Sequence, residues 1–394
     1  MSTDKYKFPS KQNINDLFNY FVDKQYDDAE KLAISLTKKF PEHQFSWKVL
    51  GEIFRIKKKL SNALRAQQIS IKINAQDHEA HNNLGITLKD IGKLEDAKIS
   101  FQKAIELNSD FDDAYYNLGK ILYQHKDYKR AGENFLLSNL SKSKTQLLKC
   151  KFMENDKYGF YKQLDYLVEK NQINSVIGSL VNRSKIKFGI NRKNTFCNNP
   201  LEYVYKIDLT ERCDFENIFV KTIKNILNVS TISYRKQDLL TNGIQTSGNI
   251  LQQNHHLINE IRKIIYSQIE IYRTHFKDSE EGFIKNWPSS YDISAWLIKM
   301  KNGGKLKPHM HESGWLSGSI YINVPPKLET NSGNLVVCID EKESDVNFNS
   351  SPTKKIIDVV TGNLCLFPSS LLHYTIPFES AEERIVLAFD VNPK

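Results

Sequence analysis

Nowhere in the 394 residues does an apolar run approach the roughly 18 residues a membrane-spanning helix needs, and the polar start MSTDKYKFPSKQNIND lacks the apolar core of a secretion signal. A cytoplasmic location is the default expectation. Cysteine is scarce and odd in number: Cys150, Cys197, Cys213, Cys338 and Cys365 are widely spaced and form no C-x-x-C pair. That excludes a disulfide framework and a zinc knuckle, so reduced, structural thiols are expected. No G-x-G-x-x-G, no GK[ST] loop and no G-x-S-x-G elbow is present, which leaves nucleotide-dependent chemistry without a seat. What is there is ordinary for a folded chain: 40% hydrophobic, 11% aromatic and 26% charged residues, at a length that suggests two to three domains. The net charge of +9, from 55 Lys plus Arg against 46 Asp plus Glu, comes from lysine spread along the whole chain rather than from a patch. Nucleic acid is therefore not expected as a partner.

Two residue columns recur with a period of 34. Gly51, Gly85 and Gly119 form one, and Ala29, Ala63, Ala97 and Ala131 the other. Each glycine follows a leucine (Leu50, Leu84, Leu118), and Trp47, His81 and Tyr115 stand three positions before it. Phe101 and Phe135 follow Ala97 and Ala131 by four residues, and Pro41 closes the first unit. This pattern resembles the tetratricopeptide repeat, a helix–turn–helix unit that stacks into a solenoid. Four units are expected at 10–43, 44–77, 78–111 and 112–145, with glycine and alanine facing each other so that the paired helices can approach. Leu17 replaces the glycine of the first unit, as in an atypical terminal repeat, and Gln67 replaces the phenylalanine of the second. The run RIKKK at 55–59 reads as a solvated turn. A helical period without the signature continues from Thr145 to about Ser184, so 146–199 is expected to hold capping helices and a linker. Repeats of this kind present a concave groove, and the resemblance implies a bound protein or peptide.

From Lys185 the segment KIKFGINRKNTFCNNP reads as a loop between the halves. One more helix is expected between Gln252 and Phe276. Short β-type runs then take over at 292–300, 314–324, 333–340, 356–360, 362–367 and 384–391. Helix followed by short strands with Gly and Pro turns suggests a β-sandwich or double-sheet jelly roll. His309 and His311 in PHMHESGWLSGSIYIN, with His373 in LFPSSLLHYTIPF, are the informative residues. On an extended strand, residues i and i+2 share a face, so His309 and His311 can reach one metal ion together. A third ligand from a later strand would leave coordination positions open, as non-haem iron needs.

Taken with Ser294-Ala295-Trp296, Leu316-Ser317-Gly318, Tyr321, Ser332-Gly333-Asn334-Leu335, Gly362-Asn363-Leu364, Phe367-Pro368-Ser369, Arg384 and Asn392, this pattern resembles the iron(II)- and 2-oxoglutarate-dependent dioxygenases over 200–394. The resemblance implies a multidomain chain: an all-α tetratricopeptide solenoid at 10–145, then an α+β domain built on a double-stranded β-helix. It implies Fe(II), 2-oxoglutarate and O2, with metal ligands His309, His311 and His373. It also implies Arg384 on the distal carboxylate of 2-oxoglutarate, Tyr321 as a second contact there, and no catalytic residue beyond the metal site. The sequence departs from the usual His-x-Asp or His-x-Glu pattern, placing His311 second and Glu312 one further on. Strand parity favours His311, with Glu312 held in reserve in case of a bulge. Trp296, Gln245, Ser317 and Glu312 are candidates for the pocket wall. Core packing is the other reading for Trp296 and Tyr321, and a plain loop role the other for Gln245.

The function implied is a dioxygenase that hydroxylates a substrate recruited by or alongside the solenoid. The alternative is a non-catalytic scaffold, in which the repeats bind a partner and the β domain is an inactive relative. A cupin-like dioxygenase without 2-oxoglutarate, and an oxygenase acting on a small molecule or a sugar, are further readings.

Overall fold

The computed structural model describes residues 8–228, 232–235, 237–253, 256–340 and 352–394, and the chain divides into two compact units between Gln163 and Leu164. The stretch 146–199 is shared between them.

The first unit is a helical array. Its hairpins are α1 (Lys11–Val22) with α2 (Tyr26–Lys39), α3 (Gln44–Ile56) with α4 (Leu60–Ile73), α5 (His78–Ile91) with α6 (Leu94–Leu107), and α7 (Asp112–Gln124) with α8 (Tyr128–Leu137). Ser10, Asp77 and Asp127 cap α1, α5 and α8 by accepting a backbone N–H with their side chains. The turn inside each hairpin carries a left-handed residue in one column, Lys24, Lys58, Gly92 and Lys126, with φ of 60°, 61°, 92° and 62°. Asn155 (φ 62°) occupies the same place between α9 (Ser141–Met153) and α10 (Lys157–Glu169), only 29 residues after Lys126. A further hairpin therefore follows the four expected ones, in a shortened register. It starts inside the range 112–145 expected for the fourth.

The glycines do their packing differently from the expectation. A Cβ on Gly85 would stand 2.6 Å from the Phe101 ring, and one on Gly119 2.8 Å from the Phe135 ring. The glycine of the first helix thus seats the large residue of the second, sixteen positions later, rather than an alanine. In the second unit Gln67 fills that place, with its amide 2.6 Å from a Cβ on Gly51. The first unit inverts the pair: Leu17 holds the glycine position and Ala33 the phenylalanine position, and both are fully buried in one cluster. The first unit therefore keeps the summed volume of the Gly–Phe pairs of the third and fourth, as close packing demands, while Gly51 and Gln67 form a smaller pair. Phe101→Ala alone should cost about 3–5 kcal/mol, and Gly85→Leu alone about 1–3 kcal/mol. The double variant, which copies the first repeat, should lie closer to wild type than Phe101→Ala does. Urea melts of the full chain measure this, and additive losses would disprove the pairing.

The RIKKK run is the end of α3 and the turn after it, and it is not merely solvated. Arg55 pairs with Glu52 (2.8 Å) and Asp90 (3.3 Å), Lys57 with Asp27 and Glu30, and Lys59 with Glu30 (2.6 Å). Lysine and arginine of one hairpin thus reach acids of its neighbours.

After the end of α10 the second unit continues with α11 (Ser175–Phe188), so the expected linker is helical up to Phe188. Its helices α12 (Thr222–Asn228) and α13 (His256–His275) lie on one face of a sheet of ten antiparallel strands. These are β1 (Tyr205–Asp208), β2 (Tyr234–Arg235), β3 (Leu240–Thr246), β4 (Tyr291–His309), β5 (Leu316–Asn323), β6 (Leu335–Cys338), β7 (Lys354–Ile357), β8 (Asn363–Pro368), β9 (Leu372–Thr375) and β10 (Arg384–Pro393), paired in the order β1-β8-β5-β10-β4-β9-β6-β7 with β3 also on β4. The 19-residue β4 belongs to both sides of the jelly roll. Its first half pairs with β10, from Tyr291↔Pro393 to Met300↔Arg384, whereas Leu306 and His309 pair with Thr375 and His373 of β9. The bend falls at Gly303 (φ 70°) and Gly304, where a Cβ on Gly304 would meet the Lys301 carbonyl at 2.7 Å.

Strand parity then sorts the side chains. On β10 the odd residues Ile385, Leu387, Phe389 and Val391 join the core beneath α12 and α13. The even residues Arg384, Val386, Ala388, Asp390 and Asn392 face a cavity of about 760 Å³ on the other side. On β4, Ile293, Ala295 and Leu297 face the helices while Ser294, Trp296 and Ile298 line the cavity.

Candidate metal centre

The β4–β9 register sets His309 directly opposite His373, with ring centroids 4.3 Å apart. His309 is the last residue of β4, and His311 lies just past the strand end, its ring 5.1 Å from His309 and 4.8 Å from His373. Among the described residues these three form the one group of three or more His, Cys, Asp or Glu side chains that could hold a metal ion, with all ligand atoms within 4.8 Å of one another.

Hydrogen bonds fix which ring nitrogen carries the proton. His309 Nδ1 faces the Lys307 carbonyl at 2.9 Å, and His311 Nδ1 faces Asp390 Oδ1 at 2.7 Å. Both partners can only accept, so Nδ1–H donates in each ring and Nε2 keeps its lone pair in the neutral imidazole. Those two Nε2 atoms stand 3.2 Å apart, a separation at which they share a proton or bind one metal ion between them. A metal–nitrogen bond of about 2.1 Å would put cis nitrogens about 3.0 Å apart in an octahedron and about 3.4 Å apart in a tetrahedron, so the spacing fits a metal ion. His373 Nδ1 is buried without a hydrogen-bond partner of good geometry. Burial, then the neighbouring His311, pulls His309 down to about 4, and burial with both neighbours holds His373 well below its ordinary value. Both rings are therefore neutral near pH 7, the form that ligates metals.

Arg384 opens β10 in the same cavity. It is only 2% exposed, its guanidinium lies 5.1 Å over the Tyr321 ring, and its Nε has no hydrogen-bond partner. No carboxylate pairs with it among the described residues, and burial lowers it from its ordinary value. Tyr321 is 1% exposed and does double duty: it joins an apolar cluster with Val337, Cys365 and Phe367 while lining the cavity, and burial drives its phenol up.

The cavity thus brings together His309, His311, His373, Arg384, Tyr321, Trp296, Gln245 and Ser317. Glu312 is not among them. It is exposed, with its backbone carbonyl accepting from Ser175 Oγ, because the one-residue step beyond His311 turns it away from the cavity. Gln245 lines the cavity as expected of a pocket candidate, but from a strand and not a loop: it sits in β3 opposite Ile298, buried, with its carboxamide against Arg235. Trp296 packs edge-on to His311 at 5.2 Å, and Phe367 lies 5.0 Å from His373, so aromatic rings wall the histidines. The sequence reading missed Asp390. Its one signal is an acid in the apolar run RIVLAFDVN with the parity of Arg384.

Comparison with known proteins follows this geometry. Residues 294–390 match the model of the family described as "Putative 2OG-Fe(II) oxygenase", and residues 87–126 match that described as "TPR repeat". No curated protein matches the sequence. Similar solved structures include MamA, at 17% identity over 46% of this chain and 96% of that one with a TM-score of 0.37. PilF of Pseudomonas aeruginosa matches at 17% over 45% and 83% (TM-score 0.41), and YrrB, titled a TPR protein with an unusual peptide-binding site, at 13% over 41% and 86% (TM-score 0.35). The chain thus carries TPR repeats and, at 294–390, a domain of the family described as "Putative 2OG-Fe(II) oxygenase", within which all three histidines, Tyr321, Arg384 and Asp390 fall.

Proposed function

We propose that the second unit is an iron(II)- and 2-oxoglutarate-dependent dioxygenase that hydroxylates a substrate recruited by, or alongside, the TPR repeats. The observation that carries this reading is Arg384. A buried guanidinium without a carboxylate partner is costly, and it shares one cavity with three convergent histidines. A dicarboxylate that reaches from the metal to that guanidinium would answer both.

In this reading His309, His311 and His373 hold iron(II), each through a neutral imidazole. Arg384 takes the distal carboxylate of 2-oxoglutarate, for which its planar fork supplies two parallel donors, and the Tyr321 hydroxyl is the adjacent contact. When bound, the iron centre supplies the chemistry that consumes O2 and 2-oxoglutarate, releasing succinate and carbon dioxide and converting a substrate C–H to C–OH, with one oxygen atom in succinate and one in the alcohol. Trp296 and Phe367 exclude water beside the histidines, and Ser317 and Gln245 are buried polar groups of the same wall. The TPR repeats support a protein or peptide as the recruited partner.

The test is anaerobic titration of the metal-free protein with iron(II) and 2-oxoglutarate, followed by succinate assay in air. A weak visible charge-transfer band and succinate release are expected. A folded protein that gives neither would leave the TPR repeats as a binding scaffold beside an inactive oxygenase relative.

A further inference from the structure

We propose that Asp390 is a positioning residue for His311, and that its negative charge, transmitted through the imidazole, replaces the charge a carboxylate ligand would bring to the metal. This rests on the iron site proposed above. Three neutral imidazoles donate lone pairs but leave a divalent ion's charge uncompensated. Asp390 is the one carboxylate hydrogen-bonded to the trio among the described residues, at 2.7 Å from His311 Nδ1. Among those residues it pairs with no lysine or arginine, although it is only 5% exposed. The cavity therefore contains two buried ionisable side chains, Arg384 with no carboxylate partner and Asp390 with no lysine or arginine partner among the described residues, six residues apart on one face of β10. One suits a carboxylate. The other suits a cation, and it meets that cation through His311.

The surroundings bear on this contact in two ways, through a competing donor and through a clamped loop. Ser317 Oγ donates to the same Asp390 oxygen at 2.8 Å and lies 2.8 Å from Ser369 Oγ. The loop after His311 is clamped onto the strand that carries Asp390: Gly314 N–H donates to the His311 carbonyl, and Trp315 N–H to the Val391 carbonyl at 2.7 Å. A Cβ on Gly314 would stand 2.6 Å from Ser369 Oγ and 3.4 Å from Asp390 Cγ, so glycine is what lets the loop close this far. An imidazole whose Nδ1–H is held by a carboxylate is a stronger and better-oriented donor at Nε2.

The experiment measures iron(II) affinity anaerobically, by competition with a chelating indicator, for wild type, Asp390→Asn and Ser317→Ala, with thermal melts beside it. Asparagine keeps an oxygen for His311 but removes the charge. Its iron(II) affinity should fall about 10–100-fold at unchanged melting temperature, and its charge-transfer band with 2-oxoglutarate should move to higher energy. Ser317→Ala takes a competing donor off the carboxylate, so affinity should hold or rise. Equal iron(II) affinity in a folded Asp390→Asn would overturn the proposal while leaving the iron site standing. If Asp390→Asn does not fold, Ser317→Ala decides, since a tenfold loss there would mean the network merely holds shape. Absence of iron(II) binding in the wild-type protein would instead sink the proposed function, and this inference with it.

Discussion

Arg384→Met should weaken 2-oxoglutarate binding by at least an order of magnitude while leaving the protein as stable as wild type, or more so. The two effects have one cause. Arg384 is buried, its Nε is unsatisfied, and no described carboxylate neutralises it, so the folded apo-protein carries an expensive charge. A methionine of similar length removes that penalty at the loss of the contact over the Tyr321 ring and the hydrogen bond to its hydroxyl, for a net effect between about zero and a gain of about 2 kcal/mol. Losing one member of a buried charge-assisted pair costs about 2–5 kcal/mol in binding, so 2-oxoglutarate affinity should fall by roughly 30-fold to several thousand-fold. Melting curves and the charge-transfer titration read the two arms separately. Strong destabilisation with intact 2-oxoglutarate binding would make Arg384 a structural residue and remove the main support for the dioxygenase reading.

His373→Ala should eliminate iron(II) binding and also soften the acid sensitivity of the metal-free fold. Two remaining nitrogens on one short stretch of chain make a poor chelate, and the charge-transfer band should disappear. The second effect follows from the depressed histidines. Between about pH 6.5, where an unfolded histidine takes up its proton, and about 4, where folded His309 does, the unfolded chain binds more protons than the folded one. Stability therefore falls as pH falls through that window, by at most about 1.4 kcal/mol per pH unit for each such histidine. His373 lies well below its ordinary value, so deleting it should flatten the slope in the metal-free protein. Urea midpoints measured across the window would show it, and an unchanged slope would mean that His373 titrates normally.

How much of this could be read from the sequence depended on whether packing leaves a periodic trace. The repeats were legible because close approach demands a glycine every 34 residues at 51, 85 and 119. The partner of that glycine was not, because Phe101 and Phe135 lie on the other helix and Ala33 and Gln67 break the column. The left-handed column 24, 58, 92 and 126 was hidden because lysine holds three of its four places. The hairpin of α9 and α10 was read as helix but not as a repeat unit, since its turn slips by five residues.

In the second half, alternation marked most strands, but NGGK at 302–305 imitates a turn, so the passage of β4 from one side of the jelly roll to the other was invisible. The strand β3, with exposed Asn242 and a glycine beside it, resembles a loop for a related reason: the polar TNG stretch interrupts the alternation. The histidines and Arg384 could be picked out as residue types in order. Asp390 could not, because its role comes from a neighbour 79 positions away in the chain.

The inverted pair of the first repeat has a consequence for how the array assembles. If its first helix paired one unit too far along, Leu17 would meet Gln67 instead of Ala33; two units along it would meet Phe101. In the opposite slip, Gly85 would lie over Ala33 and leave a hole. Each mistake is penalised in volume, by a clash in one direction and a void in the other. An array of interchangeable units would tolerate sliding, and exchange of hairpins between chains. This one has a keyed end, so its helices can be counted from one side only, and folding that starts anywhere must finish in a single alignment.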